Sequence, residues 1–229
     1  MSYKTELHCH TSEFSYCAGM SGVDKAKLYI ENGYSTVVLT NHISAGYRSD
    51  IPEHRDVVRK YFEAAEVMRD AANGKLNVIV GMELCFKGDI DDYLIYGMDE
   101  EMLAGFPEIF DFSYKYFYQW ADEHDVIMIQ AHPLRCGIIP RDPWYIHGAE
   151  LYNASHDPFY NRIAEAWADV YDNEFNHDGR RFIRTSGSDH HSDGQRACGG
   201  IVTDFEIKNN ADLLSVLRSG EYELLREVN

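Results

Sequence analysis

The chain has 229 residues, enough for one domain with a full core, and its hydrophobic fraction of 45% is ordinary for a globular protein. Its net charge of −17 repels the phosphates of nucleic acids and of anionic membranes, so the composition disfavours general electrostatic binding to either. We therefore expect one domain over residues 1–229.

The cysteines and the lack of long apolar segments indicate a protein of a reducing compartment. The cysteines are odd in number, scattered and without a C-x-x-C pair: Cys9, Cys17, Cys85, Cys136 and Cys198. This pattern does not predict a disulfide framework. No apolar stretch approaches the roughly 18 residues of a membrane span, and the first residues lack the apolar region of a signal peptide. We expect a cytoplasmic protein that does not bind membranes.

Strand-like and helix-like segments alternate along the chain. The first half predicts a strand ending at His8 and His10, a helix from Ser21 to Gly33, a strand over 36–41, a helix from Pro52 to Asn73, and strands over 78–82 and 92–97. The second half predicts a helix over 113–124, strands over 126–131 and 148–153, a helix over 158–168, strands over 182–188 and 200–203, a helix over 211–217 and an edge strand over 222–228. This alternation indicates a parallel α/β fold.

Side chains that bind metals follow five of these strands. They are His8 and His10, then His42, then Glu83, then His132, and last Asp189, His190 and His191. In a closed barrel the ends of all strands meet at one rim, whereas in an open sheet only the strands beside the switch point would meet. The distribution of these residues therefore favours a barrel with a metal centre at its rim.

The chemistry of these side chains supports a multi-metal site. His8 and His10 are two residues apart, so both point to the same face of their strand and can hold one cation. Glu83 follows an apolar segment, where a buried carboxylate is costly unless it is paired or bound to a metal. A mixture of imidazole and carboxylate ligands suits Zn²⁺, Mn²⁺ or Fe²⁺.

The ordered set of motifs resembles the PHP (polymerase and histidinol phosphatase) family over essentially the whole chain. The motifs are Glu6-Leu7-His8-Cys9-His10-Thr11, Thr40-Asn41-His42, Gly81-Met82-Glu83, Gln130-Ala131-His132-Pro133 and Ser186-Gly187-Ser188-Asp189-His190-His191. The resemblance implies a distorted (β/α)7 barrel with two or three divalent metal ions at the C-terminal rim of its strands. It also implies a metal-dependent phosphoesterase.

The resemblance implies a role for each ligand. A first metal would be held by His8, His10, Glu83 and Asp189, a second by Glu83 and His132, and a third by His42 and His191. The family usually places a further His or Asp shortly after the H-x-H pair, where this chain has Ser15 and Tyr16. Glu13 is the nearest acidic residue and is our expected substitute, with Cys17 as the alternative. The family's three-metal members also carry a histidine between the Glu and His-Pro motifs. Here that interval has only His124, on a predicted helix, and we expect it to be exposed.

The implied reaction is hydrolysis of a small-molecule phosphate ester by a metal-bound hydroxide, with Glu83 and Asp189 as catalytic groups. Arg135 could grip the phosphoryl group, and His156 lies in a loop that could line the substrate entrance. His190 could either donate a proton to the leaving group or support the ligands from behind. We interpret the acidic segment 89–92 as a solvated turn.

Three other functions stay open at this point. The chain could be a metal-binding regulatory module without turnover, because the usual ligand after the H-x-H pair is missing. It could be a nuclease acting on DNA, although no basic stripe is visible. It could also be a barrel hydrolase that cleaves C–N bonds, because a fold does not fix a function.

Overall fold

Six α-helices and eleven β-strands make up the described part of the chain in a computed structural model, which describes residues 2–135, 137–176 and 179–226. The helices are α1 (Gly22–Glu31), α2 (His54–Ala72), α3 (Glu100–Ala104), α4 (Tyr114–Glu123), α5 (Pro158–Val170) and α6 (Asn210–Ser219). The strands are β1 (Tyr3–Cys9), β2 (Tyr34–Leu39), β3 (His42–Ser44), β4 (Asn77–Val80), β5 (Met82–Cys85), β6 (Asp92–Tyr96), β7 (Ile127–Gln130), β8 (Gly148–Asn153), β9 (Ile183–Gly187), β10 (Ile201–Thr203) and β11 (Glu223–Leu224).

The strands form two sheets, and the predicted α/β class is confirmed. The first sheet has the order β11-β10-β1-β2-β4, and the second has the order β3-β5-β6-β7-β8-β9. The prediction of a parallel fold is wrong for β6, which runs antiparallel to both β5 and β7, and for β10, which runs antiparallel to both β1 and β11. The short segment 86–91 joins β5 to β6 directly, whereas a parallel connection needs a crossover of about a dozen residues or more.

The two sheets adjoin each other at two places. Beyond β2 and β4, the Gly81 N–H donates to the Leu39 carbonyl at 3.0 Å, and the Glu83 N–H donates to the Asn41 carbonyl at 3.1 Å. Beyond β1 and β9, the Asp189 N–H donates to the His8 carbonyl at 3.0 Å. Over the described residues, however, the strand pairing is interrupted at both junctions, so no continuous closed barrel is formed.

The helices begin and end close to where the local sequence predicts. Ser21 caps α1 by accepting a hydrogen bond from the Asp24 N–H at 3.2 Å, and Ser113 caps α4 through the Tyr116 N–H at 3.3 Å. Asn73 ends α2 in the left-handed region with φ of 46°. None of the helices in the described ranges combines the length and the apolar character that a membrane span requires.

The apolar face of α2 is buried, whereas the last predicted strand is shorter than expected. Tyr61, Ala65 and Met68 pack into the main apolar cluster, as their helical spacing predicts. The edge strand expected over 222–228 is limited to β11, and residues 227–229 lie outside the described ranges. Cys136 also lies outside them, while Cys9, Cys17 and Cys85 have free thiols.

Candidate metal centre

The carboxylate of Glu83 lies at the centre of a buried group of histidines. His8 Nε2 is 3.4 Å and His10 Nε2 is 3.2 Å from Glu83 Oε2. His132 Nε2 is 2.9 Å from the other oxygen, Oε1. His42 faces Glu83 because the two residues are in register on the parallel strands β3 and β5, and its Nδ1 is 3.0 Å from Oε2. Four histidines from three separate segments thus share one carboxylate.

Asp189 closes the group from the opposite side. Its Oδ1 is 3.5 Å from His8 Nε2 and 3.4 Å from His10 Nε2. His191, two residues further on, brings its Nδ1 to 3.3 Å from the same oxygen. The structure therefore brings together seven of the eight residues predicted as metal ligands, all except Glu13.

Two of these residues have a left-handed backbone, which is uncommon outside glycine. His132 has φ of 30° and Asp189 has φ of 48°. Both are held by hydrogen bonds of their N–H groups, to Glu150 Oε2 at 2.9 Å for His132 and to the His8 carbonyl at 3.0 Å for Asp189. The backbone thus fixes the direction of these side chains at the cost of local strain.

Several buried polar atoms of the group have no hydrogen-bond partner among the described residues. They include His8 Nε2, both ring nitrogens of His10 and Glu83 Oε2. Unpaired buried polar atoms cost free energy and are rare in folded proteins. A divalent cation would satisfy them, so the residues present fit a metal centre.

The ligand atoms form four overlapping groups in which all atoms lie within 4.8 Å of one another. These groups are His8 with His10 and Asp189, His8 with Glu83 and His132, His10 with His42 and His191, and His42 with Glu83 and Asp92. The overlap is typical of a cluster in which neighbouring cations share ligands.

The electrostatics of the group favour ionised carboxylates. Burial opposes the charge of Glu83, but His42 and His8 beside it hold the pKa of this carboxyl well below its usual range. Burial lowers the pKa of His10 to about 3, so this imidazole is neutral at pH 7. The pKa of His8 is raised well above its usual value because the carboxylates of Glu150, Asp189 and Glu83 outweigh its burial. A proton on His8 and a cation therefore compete for the same carboxylates.

Asp92 belongs to the group, contrary to the interpretation of segment 89–92 as a solvated turn. It shares a ligand group with Glu83, and burial and the charge of Glu83 raise its pKa to about 6. Asp91 is also buried, and both Asp91 and Asp89 pair with Arg141. Asp92 was missed because it begins β6, and the start of this antiparallel strand lies at the same rim as the ends of its neighbours.

Glu150, on β8, supports the group from behind and was also missed. It is 1% exposed, and its Oε1 lies 2.9 Å from His8 Nδ1. Its Oε2 accepts from the His132 N–H and from Asn153 Nδ2, each at 2.9 Å. Such a carboxylate orients a ligating histidine and sets its tautomer. The signal was available, since Glu150 interrupts an apolar strand just as Glu83 does.

Glu13, the predicted substitute for the missing ligand, contacts the start of α1 and belongs to none of the four ligand groups of the described residues. Both of its carboxylate oxygens accept from the Gly22 N–H, at 2.8 and 3.0 Å, where a negative charge is stabilised at the start of α1. Cys17, the alternative, lines a cavity together with His191 and His42. Burial raises the thiol pKa, but these histidines outweigh it and lower the pKa to about 6.

Two adjoining cavities of about 460 and 540 Å³ open onto this group, and both are lined by Cys17, Arg135, Asp189 and His191. Arg135 is exposed and has no ion pair within the described residues. His156 lines the smaller cavity, and its ring lies 5.3 Å from that of His132. The two residues predicted to contact substrate therefore border the same space as the predicted metal ligands.

His190 lies outside the lining of both cavities. It is 1% exposed and its ring contacts the buried Lys25 amine. This position does not support the predicted proton donation to a leaving group. It agrees with the alternative, a residue that supports the ligands from behind.

No protein-family model and no curated protein matches the sequence. Solved structures do match it. PsfC from Pseudomonas syringae PB-5123 has a TM-score of 0.70 at 14% identity, and the match covers 99% of this chain and 92% of PsfC. A candidate metal-dependent phosphoesterase from Bifidobacterium adolescentis has a TM-score of 0.55 at 13% identity, covering 94% of this chain and 96% of that one.

The lesion-specific endonuclease PfuEndoQ from Pyrococcus furiosus has a TM-score of 0.64 at 14% identity. The match covers 98% of this chain but only 58% of the endonuclease. The phosphoesterase and the endonuclease are PHP-type proteins. The chain therefore has the fold of PHP-type proteins, which confirms at the level of the fold the family resemblance predicted from its motifs.

Proposed function

We propose that the protein is a metal-dependent hydrolase that cleaves a small-molecule phosphate ester. The observation that carries this proposal is the sharing of the Glu83 carboxylate by His8, His10, His42 and His132, with unpaired buried ligand atoms around it. A group of this kind is costly to bury without cations and is well suited to hold them.

We assign the ligands as the family resemblance implies, with one addition. The first cation is held by His8, His10, Glu83 and Asp189, the second by Glu83 and His132, and the third by His42 and His191. Asp92, which forms a ligand group with His42 and Glu83, is the added candidate. Cations such as Zn²⁺, Mn²⁺ or Fe²⁺ would supply Lewis acidity toward the phosphoryl oxygens and an activated water. Glu83 and Asp189 serve the reaction as ionised carboxylates that hold this arrangement.

Arg135 supports a phosphate ester as the substrate. Its guanidinium is exposed at the mouth of both cavities and can bind two phosphoryl oxygens at once. His156 borders the same space, and burial lowers its pKa to about 4, so at pH 7 it offers a neutral hydrogen-bonding ring to the substrate. The net charge of −17 and cavities of about 460 and 540 Å³ favour a small ligand over DNA.

We further propose that the two sheets are parts of one distorted (β/α)7 barrel with the cations at its rim. The hydrogen bonds of Gly81, Glu83 and Asp189 across the two sheet junctions support this arrangement. In a barrel of this kind the loops after the strands form the substrate site, which agrees with the positions of Arg135 and His156.

The test is hydrolysis of a panel of phosphomonoesters by purified protein with Mn²⁺, Zn²⁺ or Fe²⁺ added. Glu83→Gln should remove bound metal and lower turnover at least 100-fold, because it removes a charge shared by four histidines. Glu63→Gln, on the exposed face of α2, is the matched control and should leave both unchanged. Arg135→Met should raise KM more than it lowers kcat.

Two experimental results would contradict the proposed activity and would favour a different function. Absence of turnover with metal demonstrably bound would favour a regulatory metal-binding module. Cleavage of DNA in preference to every small phosphate ester would favour a nuclease, the activity named for PfuEndoQ.

A further inference from the structure

A third cavity, of about 500 Å³, adjoins the proposed active site. Ile90 lines both this cavity and the cavity of about 540 Å³ beside the predicted metal ligands. On the same segment, Asp91 lines the third cavity and Asp92 the larger one. On the segment after His132, Ile139 lines the third cavity and Ile138 the larger one. The two cavities thus share their dividing segments, so a ligand held in one can extend past Ile90 into the other.

The lining of the third cavity is rich in exposed apolar surface. Ile90 is 68% exposed and Ile139 is 67% exposed. The rings of Phe112 and Tyr114, both partly exposed, line the same space. Large apolar side chains that face water in a concave region are typical of a ligand site. The lining therefore favours a ligand that can cover these side chains.

The charged side chains of the third cavity already have partners within the fold. The guanidinium of Arg141 pairs with the carboxylates of Asp89 and Asp91. The amine of Lys87 lies 3.0 Å from Asp111 Oδ1. An anion that entered the cavity would have to compete with these carboxylates, and breaking a partly buried ion pair is costly. The lining is therefore better suited to an uncharged, apolar group than to a second phosphate.

We propose that the third cavity binds the apolar part of the alcohol in the phosphate ester. This inference rests on the proposed hydrolysis of a phosphate ester and names its substrate class, esters of an alcohol with an extended apolar group. The phosphoryl group would lie near Arg135, and the alcohol would pass Ile90 and cover Ile139 and Tyr114. Removal of this apolar surface from water supplies the affinity.

The test is calorimetric titration with alkylphosphonates, which keep the phosphoryl group but contain no ester bond to hydrolyse. Mn²⁺ is present in every titration. Each methylene group that enters the third cavity should raise the affinity about fourfold, so hexylphosphonate should bind more tightly than ethylphosphonate. An analogue of hexylphosphonate with a terminal carboxylate should lose this gain, because its charged end does not suit the lining.

Matched variants locate the gain in the third cavity. Ile90→Ser and Ile139→Ser change exposed side chains, so both variants should fold normally. Each should lower the ratio of the hexylphosphonate affinity to the ethylphosphonate affinity roughly fivefold, because apolar contact is lost. Ile163→Ser, on α5, is the control, since Ile163 is also exposed but lines none of the three cavities. This variant should keep the wild-type ratio.

Binding of hexanol, followed by ligand-observed NMR, tests the third cavity without a phosphoryl group or a metal. Hexanol should bind to the wild-type protein and not to a variant that combines Ile90→Ser with Ile139→Ser. Equal affinity for the two alkylphosphonates, or tighter binding of the carboxylate analogue, would overturn the inference. If phosphate esters are hydrolysed without preference for an apolar alcohol, the inference fails and the proposed function stands. If hexanol binds as expected but no phosphate ester is hydrolysed, the proposed function fails and the apolar site stands.

Discussion

Replacement of Glu150 by Gln tests whether a group behind the cluster controls its metal affinity. Glu150 Oε2 accepts two N–H donors and Oε1 lies 2.9 Å from His8 Nδ1. In Glu150→Gln the amide oxygen would stay with the two donors, and the NH₂ would face His8 Nδ1. His8 would then accept through Nδ1 and carry its proton on Nε2, the atom that faces Glu83 and Asp189.

The expected loss is 10–100-fold in metal affinity, or about 1.4–2.8 kcal/mol. The loss of one hydrogen bond to a charged group, about 1.5–3 kcal/mol, gives a similar figure. Competition with a chromogenic chelator measures the affinity, and thermal unfolding of the metal-free protein checks that the variant folds. Glu63→Gln is again the surface control. An affinity of Glu150→Gln equal to that of the wild type would show that this carboxylate does not set the tautomer of His8.

Two more predictions concern the stability of the fold. A methyl group added at Gly187 would lie 2.4 Å from His8 Cβ, so Gly187→Ala should lower the free energy of unfolding by about 1–3 kcal/mol, measured by chemical denaturation. Gly19→Ala, with its nearest heavy atom at 3.6 Å, should be neutral, and equal stability of the two variants would contradict the argument. Burial lowers the pKa of His147 from 6.5 to about 4, and its Nδ1 accepts from the Met128 N–H at 3.0 Å. The unfolded chain therefore binds the proton first, and up to about 3 kcal/mol of stability present above pH 6.5 is lost as the pH falls toward 4.

Two histidine variants test how His147 affects the pH dependence of the unfolding free energy. His147→Asn keeps an acceptor for the buried N–H but cannot be protonated, so its unfolding free energy should fall less between pH 6.5 and 4 than that of the wild type. His124→Asn changes an exposed histidine and should follow the wild-type curve. Identical pH curves for all three proteins would rule out His147 as a source of the acid sensitivity.

The sequence alone was sufficient to identify the members of the histidine–carboxylate cluster that follow a strand along the chain. Glu83 and His132 each come directly after an apolar strand, and this local signal does not depend on the topology. His8 and His10 share a face because residues two apart in a strand always do. The α/β class likewise follows from the alternation of local patterns, which explains why these predictions agree with the structure.

The positions of three other residues, Asp92, Glu13 and Cys17, depend on the strand topology or on competition between hydrogen-bond partners. Asp92 precedes its strand, and only the reversed direction of β6 brings it to the rim. Glu13 is close in sequence to the expected position, but the Gly22 N–H at the start of α1 binds its carboxylate instead. Cys17 lies further along the same loop, and its position in one cavity lining with His42 depends on long-range contacts that spacing does not reveal.

The ion pairs of Arg141 have a consequence for how a ligand is selected. Arg141 forms ion pairs with Asp89 and Asp91, which lie in the turn before β6. Arg141 itself belongs to the segment that follows His132, and these two segments contribute Ile90 and Arg135 to the lining of the larger cavity. Because the ion pairs join the two segments, we expect Ile90 and Arg141 to move little relative to each other. The protein would then select substrates by how well a molecule fits this side of the cavity, and substrate selection would not require a loop to close over the bound molecule.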